Sequence, residues 1–296
     1  MDFTTPVSIS PSPWQIAPCE RMLFVGSCFA DNMGQRFSQE RFRTVVNPYG
    51  VMYNPASIVH TMERMLHDGR MPFVTDETGT CVITLGTNHV YVLKETGEIV
   101  DNCQKRPQRL FDEQMLSVSQ CAGYLQQAIA CVHSLYPQVR FVFTVSPIRY
   151  RKYGYHGSQL SKATLLLAIE QVRQELSDIT VDYFPSYEIV LDELRDYRFY
   201  REDMLHPTQQ AIDYIFERFG DTYFSRQTQV FLEAWRPIRE ALEHKPFHPE
   251  SEEYALFIQK TLEKARALQA RFPEMGNIEG LIPRAGAQPQ KAEWPR

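Results

Sequence analysis

The chain has 296 residues, 43% of them hydrophobic and 23% charged, which excludes pervasive disorder, a collagen-like fibre and a small disulfide scaffold, and leaves length for one large domain or two. Thirty-one Lys+Arg against 36 Asp+Glu give a formal net charge of −5, so nothing in the balance suits a nucleic-acid partner. Six scattered cysteines (Cys19, Cys28, Cys81, Cys103, Cys121, Cys131) form no C-x-x-C pair and fit reduced thiols. The N-terminus has no basic stretch followed by an apolar one, and no run of about 18 apolar residues occurs, so the expectation is a cytoplasmic protein without a membrane partner.

Residues 1–20, rich in Pro and Ser, read as an extended lead-in. Met22-Leu23-Phe24-Val25 ends at Gly26-Ser27 as a buried strand would, and Phe29, Met33 and Phe37 then recur at helical spacing. Thr44-Val45-Val46 predicts a second strand and residues 56–66 a second helix. Residues 81–93 read as a β-stretch broken at Gly86-Thr87-Asn88, with Ile99-Val100 beyond a turn, together one inserted hairpin. A helical pattern spans 112–135, Met115 included, before the apolar strand 140–145. A helix over 160–176, a strand over 179–184 and a helix over 208–219 follow. Strands alternating with helices imply an α/β fold whose parallel sheet is covered on both faces. From about Tyr223 the pattern turns helical and charged, with breaks at Pro246 and Pro249, predicting a two-helix extension. The expected organisation is an α/β domain over 21–225, a helical extension over 226–272 and a flexible tail over 273–296.

Three features would converge at the carboxyl ends of such a sheet. Ser27 stands between a strand and a helix, where a nucleophile meets backbone N–H groups and the helix dipole, or where a serine simply caps the helix. Asp203 and His206, three residues apart before Pro207, are spaced for a carboxylate to hold the imidazole Nδ1–H, the alternative being a cap and a surface histidine. Gly50 and Asn88, on loops after strands, supply the donor types of an oxyanion hole, or plain turn chemistry. Ser146, Arg149, His156 and Lys162 are further candidates for substrate binding. Arg149 would hold an anionic or polyhydroxyl group, or else pair with an acid such as Glu188, and Tyr153 and Tyr155 would wall a carbohydrate site or join the core. No metal-ligand cluster or phosphate loop calls for a cofactor.

The string Gly26-Ser27-Cys28-Phe29-Ala30 matches the signature of the GSCFA domain family, and the strings at 47–58, 102–107, 144–149, 159–166, 183–189 and 196–208 resemble that family's other blocks. The family is similar to the SGNH hydrolases (GDSL-type esterases), whose blocks carry in order a Ser, a Gly, an Asn and an Asp-x-x-His. The resemblance implies a three-layer αβα, flavodoxin-like fold. It also implies Ser27 as nucleophile, His206 as general base and acid, Asp203 as its orienter, and the N–H groups of Ser27 and Gly50 as oxyanion donors. Asn88, in a block that reads Gly-x-Asn-His, would complete the hole, with Asn102 of Asn-Cys-Gln-Lys-Arg-Pro as the alternative. Cys28 stands where a hydrophobic residue commonly follows the Ser, and Gly26-Ser27 lacks the Asp of Gly-Asp-Ser; a thiol is the better nucleophile near neutral pH, yet the register of the resemblance favours Ser27. The implied activity is a serine-dependent esterase or deacylase taking acetyl or a similar group from a carbohydrate or other small polar substrate. The alternatives are an O-acyltransferase with the same triad, or a catalytically silent binding module.

Overall fold

The structure is a computed structural model and describes residues 4–278. Five parallel strands form the central sheet: β1 (Arg21–Gly26), β2 (Arg43–Val46), β3 (Gly79–Leu85), and further along the chain Val139–Val145 and Val181–Tyr183. Between β3 and Val139–Val145 the chain makes a separate antiparallel sheet from β4 (His89–Leu93), β5 (Ile99–Val100) and β6 (Phe111–Met115), so the last two central strands are β7 and β8. The order across the central sheet is β2-β1-β3-β7-β8. Renumbered within that sheet this is 2-1-3-4-5, the flavodoxin-like order, which switches direction beside β1 and opens a crevice at the carboxyl ends of β1 and β3.

Helices cover both faces. On one lie α2 (Pro55–His67), α3 (Val118–His133) and α4 (Gly154–Glu175). On the other, α1 (Cys28–Gln39) packs with α6 (Gln209–Tyr223), while a single turn, α5 (Ser186–Glu188), runs on into a π-helical segment at Ile189–Leu194. The two-residue period of the strands sorts the core between these layers. Leu23, Val25, Cys81, Ile83, Phe141 and Phe143 face the first set, and Met22, Phe24, Val82 and Val142 the second. The second layer is aromatic. Phe37 of α1 meets Phe24, Phe42, Phe216 and Phe219 at centroid distances of 4.9–5.3 Å, which fixes α1 firmly at the end of β1.

Two helices follow the sheet, α7 (Arg226–Glu243) and α8 (Glu252–Arg271). They enclose a third apolar cluster that takes in Cys19 from the lead-in, Phe272 at the end of the expected extension, and Met275 and Ile278 from the region expected to be a flexible tail. Arg41 ties residues 273–278 to the body through Met275 O and Asn277 O; the rest of the expected tail lies outside the described residues. Trp235 Nε1–H donates to Gln39 O, and Arg239 reaches Glu40, so the extension leans on the end of α1.

Three expectations are corrected. Residues 81–93 are not one hairpin: β3 is central in the parallel sheet and only β4 joins the small one. The helix expected from 112 begins at Val118, because Ser117 and Gln120 form a capping box there, and Met115 belongs to β6 paired with β4. The third helix of the first layer starts at Gly154, six residues earlier than its apolar periodicity suggested. No helix among the described residues is long and apolar enough to cross a membrane, and the cysteines are unpaired.

Candidate active site

Gly26 has φ +139°, and a Cβ built on it would lie 2.0 Å from Thr84 O, so only glycine allows β1 to turn this close to β3. Its N–H donates to Asn47 Oδ1 (2.8 Å), and Asn47 Nδ2 donates to Asp31 Oδ1 of α1 (2.6 Å), which pins the turn from the side. Ser27 follows as the N-cap of α1: its Oγ accepts from Phe29 N and lies 3.3 Å from Thr84 Oγ1, and its N–H donates to Thr84 O (3.0 Å). The side chain is 2% exposed and turned into the protein. Cys28 is the first helical residue and is half-buried.

The facing turn is 203–206. Asp203 Oδ1 accepts the N–H groups of Leu205 (2.8 Å) and His206 (2.9 Å), and Met204 takes a left-handed φ of +59° to close the loop. Asp203 Oδ2 is 2.6 Å from His206 Nδ1. Partial burial raises the Asp203 carboxyl, but the two backbone donors and the His206 ring outweigh it and hold the group down at about 2. With Nδ1 bound to a carboxylate, His206 presents Nε2, and the atom it meets is Cys28 Sγ at 3.5 Å. The expected Ser27–His206 contact is therefore replaced by a Cys28–His206 contact. An N-cap side chain must bend back over its helix, whereas that of the first helical residue is free to face the cleft.

The same one-residue displacement affects the oxyanion donors. The N–H of Ser27 is occupied by Thr84 O, and that of Gly50 by Asn47 O (2.8 Å) inside its own turn. Asn88 is 4% exposed and its Nδ2 donates to Leu116 O (2.7 Å), anchoring the small sheet to the start of α3. Asn102 accepts from Gln104 N in an exposed loop of the small sheet. The donor the structure places at the sulfur is the N–H of Cys28 itself, one of the first-turn groups that no helical carbonyl can satisfy. Burial pushes the Cys28 thiol up to about 11, against the opposing pull of this N–H and of Lys162 and Arg201.

Of the expected substrate-binding residues, Arg149 and Lys162 line a cavity of about 230 Å³ that also takes in Tyr155. Arg149 does not pair with Glu188, whose carboxylate accepts from Tyr183 OH. Ser146 is 1% exposed, with Oγ accepting from Ile148 N and its carbonyl accepting from Lys162, so it shapes the cavity from behind rather than facing it. His156 is exposed on the first turn of α4, away from the lining. Tyr153 stacks on His89 at 3.6 Å, outside the cavity. Of the residues that build the turn, Asn47 opens the 47–58 string, whereas Asp31 and Thr84 carry no motif and only their polarity could have marked them. Among the described residues no group of three or more His, Cys, Asp or Glu side chains is placed to hold a metal ion.

Among solved structures, the chain is similar to a putative platelet activating factor from Streptococcus pneumoniae (16% identity, TM-score 0.40, 69% of this chain and 84% of that one). It is also similar to a carbohydrate esterase of family 3 from Talaromyces cellulolyticus (9%, 0.42, 72% and 99%) and to an acetyl xylan esterase from the rumen bacterium Butyrivibrio proteoclasticus (10%, 0.39, 73% and 66%). No curated protein matches it. The GSCFA family matches residues 21–75 and 70–219, and the C-terminal domain of GSCFA proteins matches 235–279; the chain with this Gly26-Ser27-Cys28 turn belongs to the GSCFA family.

Proposed function

We propose that this protein is an acyl-transfer enzyme of the SGNH-hydrolase type that cleaves esters with Cys28, not Ser27, as its nucleophile. The observation that carries the reading is the line Asp203 Oδ2, His206 Nδ1, His206 Nε2, Cys28 Sγ, with steps of 2.6 and 3.5 Å. That line supports a nucleophile, a base and an orienter in the order acyl transfer needs, and it favours the enzyme over a silent binding module.

With its pKa pushed up to about 11, the thiol is protonated at rest, so His206 acts as a true general base. Nε2 takes the S–H proton as sulfur attacks the acyl carbonyl. The C–S bond forms and the carbonyl electrons move to oxygen, where the N–H of Cys28 and the α1 dipole stabilise the negative charge. Collapse breaks the C–O bond while His206 returns its proton to the leaving alkoxide. Water, deprotonated by His206, then resolves the thioester to acid and free thiol. An alcohol in place of that water makes the same intermediate an O-acyl donor. Asp203 stays ionised throughout and stabilises the imidazolium. Acetyl is the group we assign to the acyl side, and a carbohydrate or another small polar alcohol to the other.

The test is to mix the protein with 4-nitrophenyl acetate, quench in acid and sequence the acetylated peptide by mass spectrometry. The expected adduct sits on Cys28 and is removed by neutral hydroxylamine, as a thioester is. A hydroxylamine-resistant acetyl on Ser27 would overturn the assignment. Absence of any adduct together with absence of turnover on O-acetylated sugars would overturn the enzyme reading.

A further inference from the structure

The cavity beside the triad is used by none of these steps. Arg149 joins it to the 203–206 turn: its N–H donates to Leu205 O and its Nη1 to Met204 O, both at 3.2 Å. The wall is mainly apolar and aromatic, with Ile148, Tyr187, Tyr197 and Tyr200 among its residues. Its charges run opposite to the net charge of the chain. Arg149, Lys162 and Arg195 line it against one acid, Asp196, whose Oδ1 already accepts from Arg198 N.

Lys162 is 2% exposed, and Nζ donates to Gly86 O and Ser146 O, each at 2.8 Å. Those carbonyls directly follow β3 and β7, so the ammonium sits at the carboxyl ends of the two central strands with one donor left over. No carboxylate among the described residues lies within ion-pair distance of Lys162 or of Arg149. A buried cation without an anion is an expensive arrangement, and burial drags the Lys162 ammonium down to about 7. The Arg149 guanidinium lies over the rings of Tyr155 (4.3 Å), Tyr197 and Tyr200 (both 5.7 Å), leaving most of its donor edge unengaged.

We propose that this cavity binds the non-reacting part of the substrate, an aromatic or apolar body carrying a carboxylate or phosphate, whose charge Lys162 and Arg149 complete. Its role toward an acyl substrate rests on the function proposed above; the binding itself does not. The tyrosines take the body by stacking, Arg149 meets the anion with its planar fork, and Lys162 meets it as a point charge.

The experiment measures binding to the full chain carrying Cys28→Ala, in which no acyl chemistry occurs, so its outcome is separate from that of the acyl-enzyme test. Benzoate, phenyl phosphate and neutral benzyl alcohol are titrated by calorimetry. Benzoate or phenyl phosphate is expected to bind at least tenfold more tightly than benzyl alcohol, and the tighter of the two anions identifies the headgroup. Adding Arg149→Gln or Lys162→Met is expected to weaken the anion at least tenfold and leave benzyl alcohol unchanged. A thermal melt checks that Lys162→Met is folded; where it is not, Arg149→Gln decides. Equal affinity for benzyl alcohol and the anions, no measurable anion binding, or anion binding indifferent to Arg149→Gln would overturn the proposal.

Discussion

The sharpest test of the site is to separate the two neighbours at the β1–α1 turn, because Ser27 caps α1 while Cys28 meets His206. Ser27→Ala removes the N-cap bond to Phe29 N and the Thr84 contact but leaves Cys28 Sγ facing His206. Loss of a serine cap costs about 1 kcal/mol, a drop of a few degrees in Tm for a chain of this size. Even if the whole of that were transmitted to the transition state, kcat would fall only about fivefold. Cys28→Ala leaves the cap, the Gly26 turn and the Phe37 packing untouched, so Tm should barely change, yet it removes the one group aligned with Nε2. Removing a triad nucleophile costs about 10⁴-fold or more in kcat. Cys28→Ser keeps a nucleophile in register and should retain part of the activity. The assay is steady-state hydrolysis of 4-nitrophenyl acetate by the three variants, beside differential scanning calorimetry of each. A collapse of kcat in Ser27→Ala at unchanged Tm, with Cys28→Ala still active, would refute the assignment and return the nucleophile to the serine.

Three further outcomes follow from named contacts. Asn88→Ala should lower stability by about 1–3 kcal/mol, because Leu116 O loses its buried donor, with kcat close to wild type; a large loss of kcat at unchanged urea midpoint would show that the carboxamide serves as an oxyanion donor after all. Gly26→Ala places a methyl 2.0 Å from Thr84 O at a φ of +139°, so a loss of roughly 4 kcal/mol or more, or insoluble protein, is expected, and a wild-type melt would contradict the turn geometry. The Cys28 thiol should ionise near 11, well above its ordinary 9.0. The unfolded chain then loses its thiol proton first, and the contribution of this group to stability is present below pH 9.0 and lost as the pH rises toward 11. The difference in ultraviolet thiolate absorbance between wild type and Cys28→Ala measures it, and a midpoint at or below 9.0 would refute the upward push by burial and the loss of stability above pH 9.0.

How much of this was legible in the sequence follows from which interactions are local. Strand–helix alternation was readable because each element carries its own period, and the Asp203–His206 pair was readable because both groups sit on one four-residue turn. The sequence is ambiguous where one residue has two local roles and a distant partner chooses between them. Serine before a helix is both a good cap and a plausible nucleophile; the 3.3 Å approach of Thr84, 57 residues away, makes Ser27 the cap. Gly50 and Asn88 show the same dependence on partners: the Gly50 N–H is taken by Asn47 O inside its turn, and Asn88 Nδ2 donates to Leu116 O while its Oδ1 has no protein partner. Lys162 shows the converse. The sequence offers it only as one of four candidate substrate-binding residues, and the carbonyls of Gly86 and Ser146, brought together by the parallel pairing of β3 with β7, are what make it a buried cation at the sheet's carboxyl edge. A fold that aligns strand ends in this way concentrates unsatisfied charge where a ligand can complete it, and for that reason we look for the substrate's anion there.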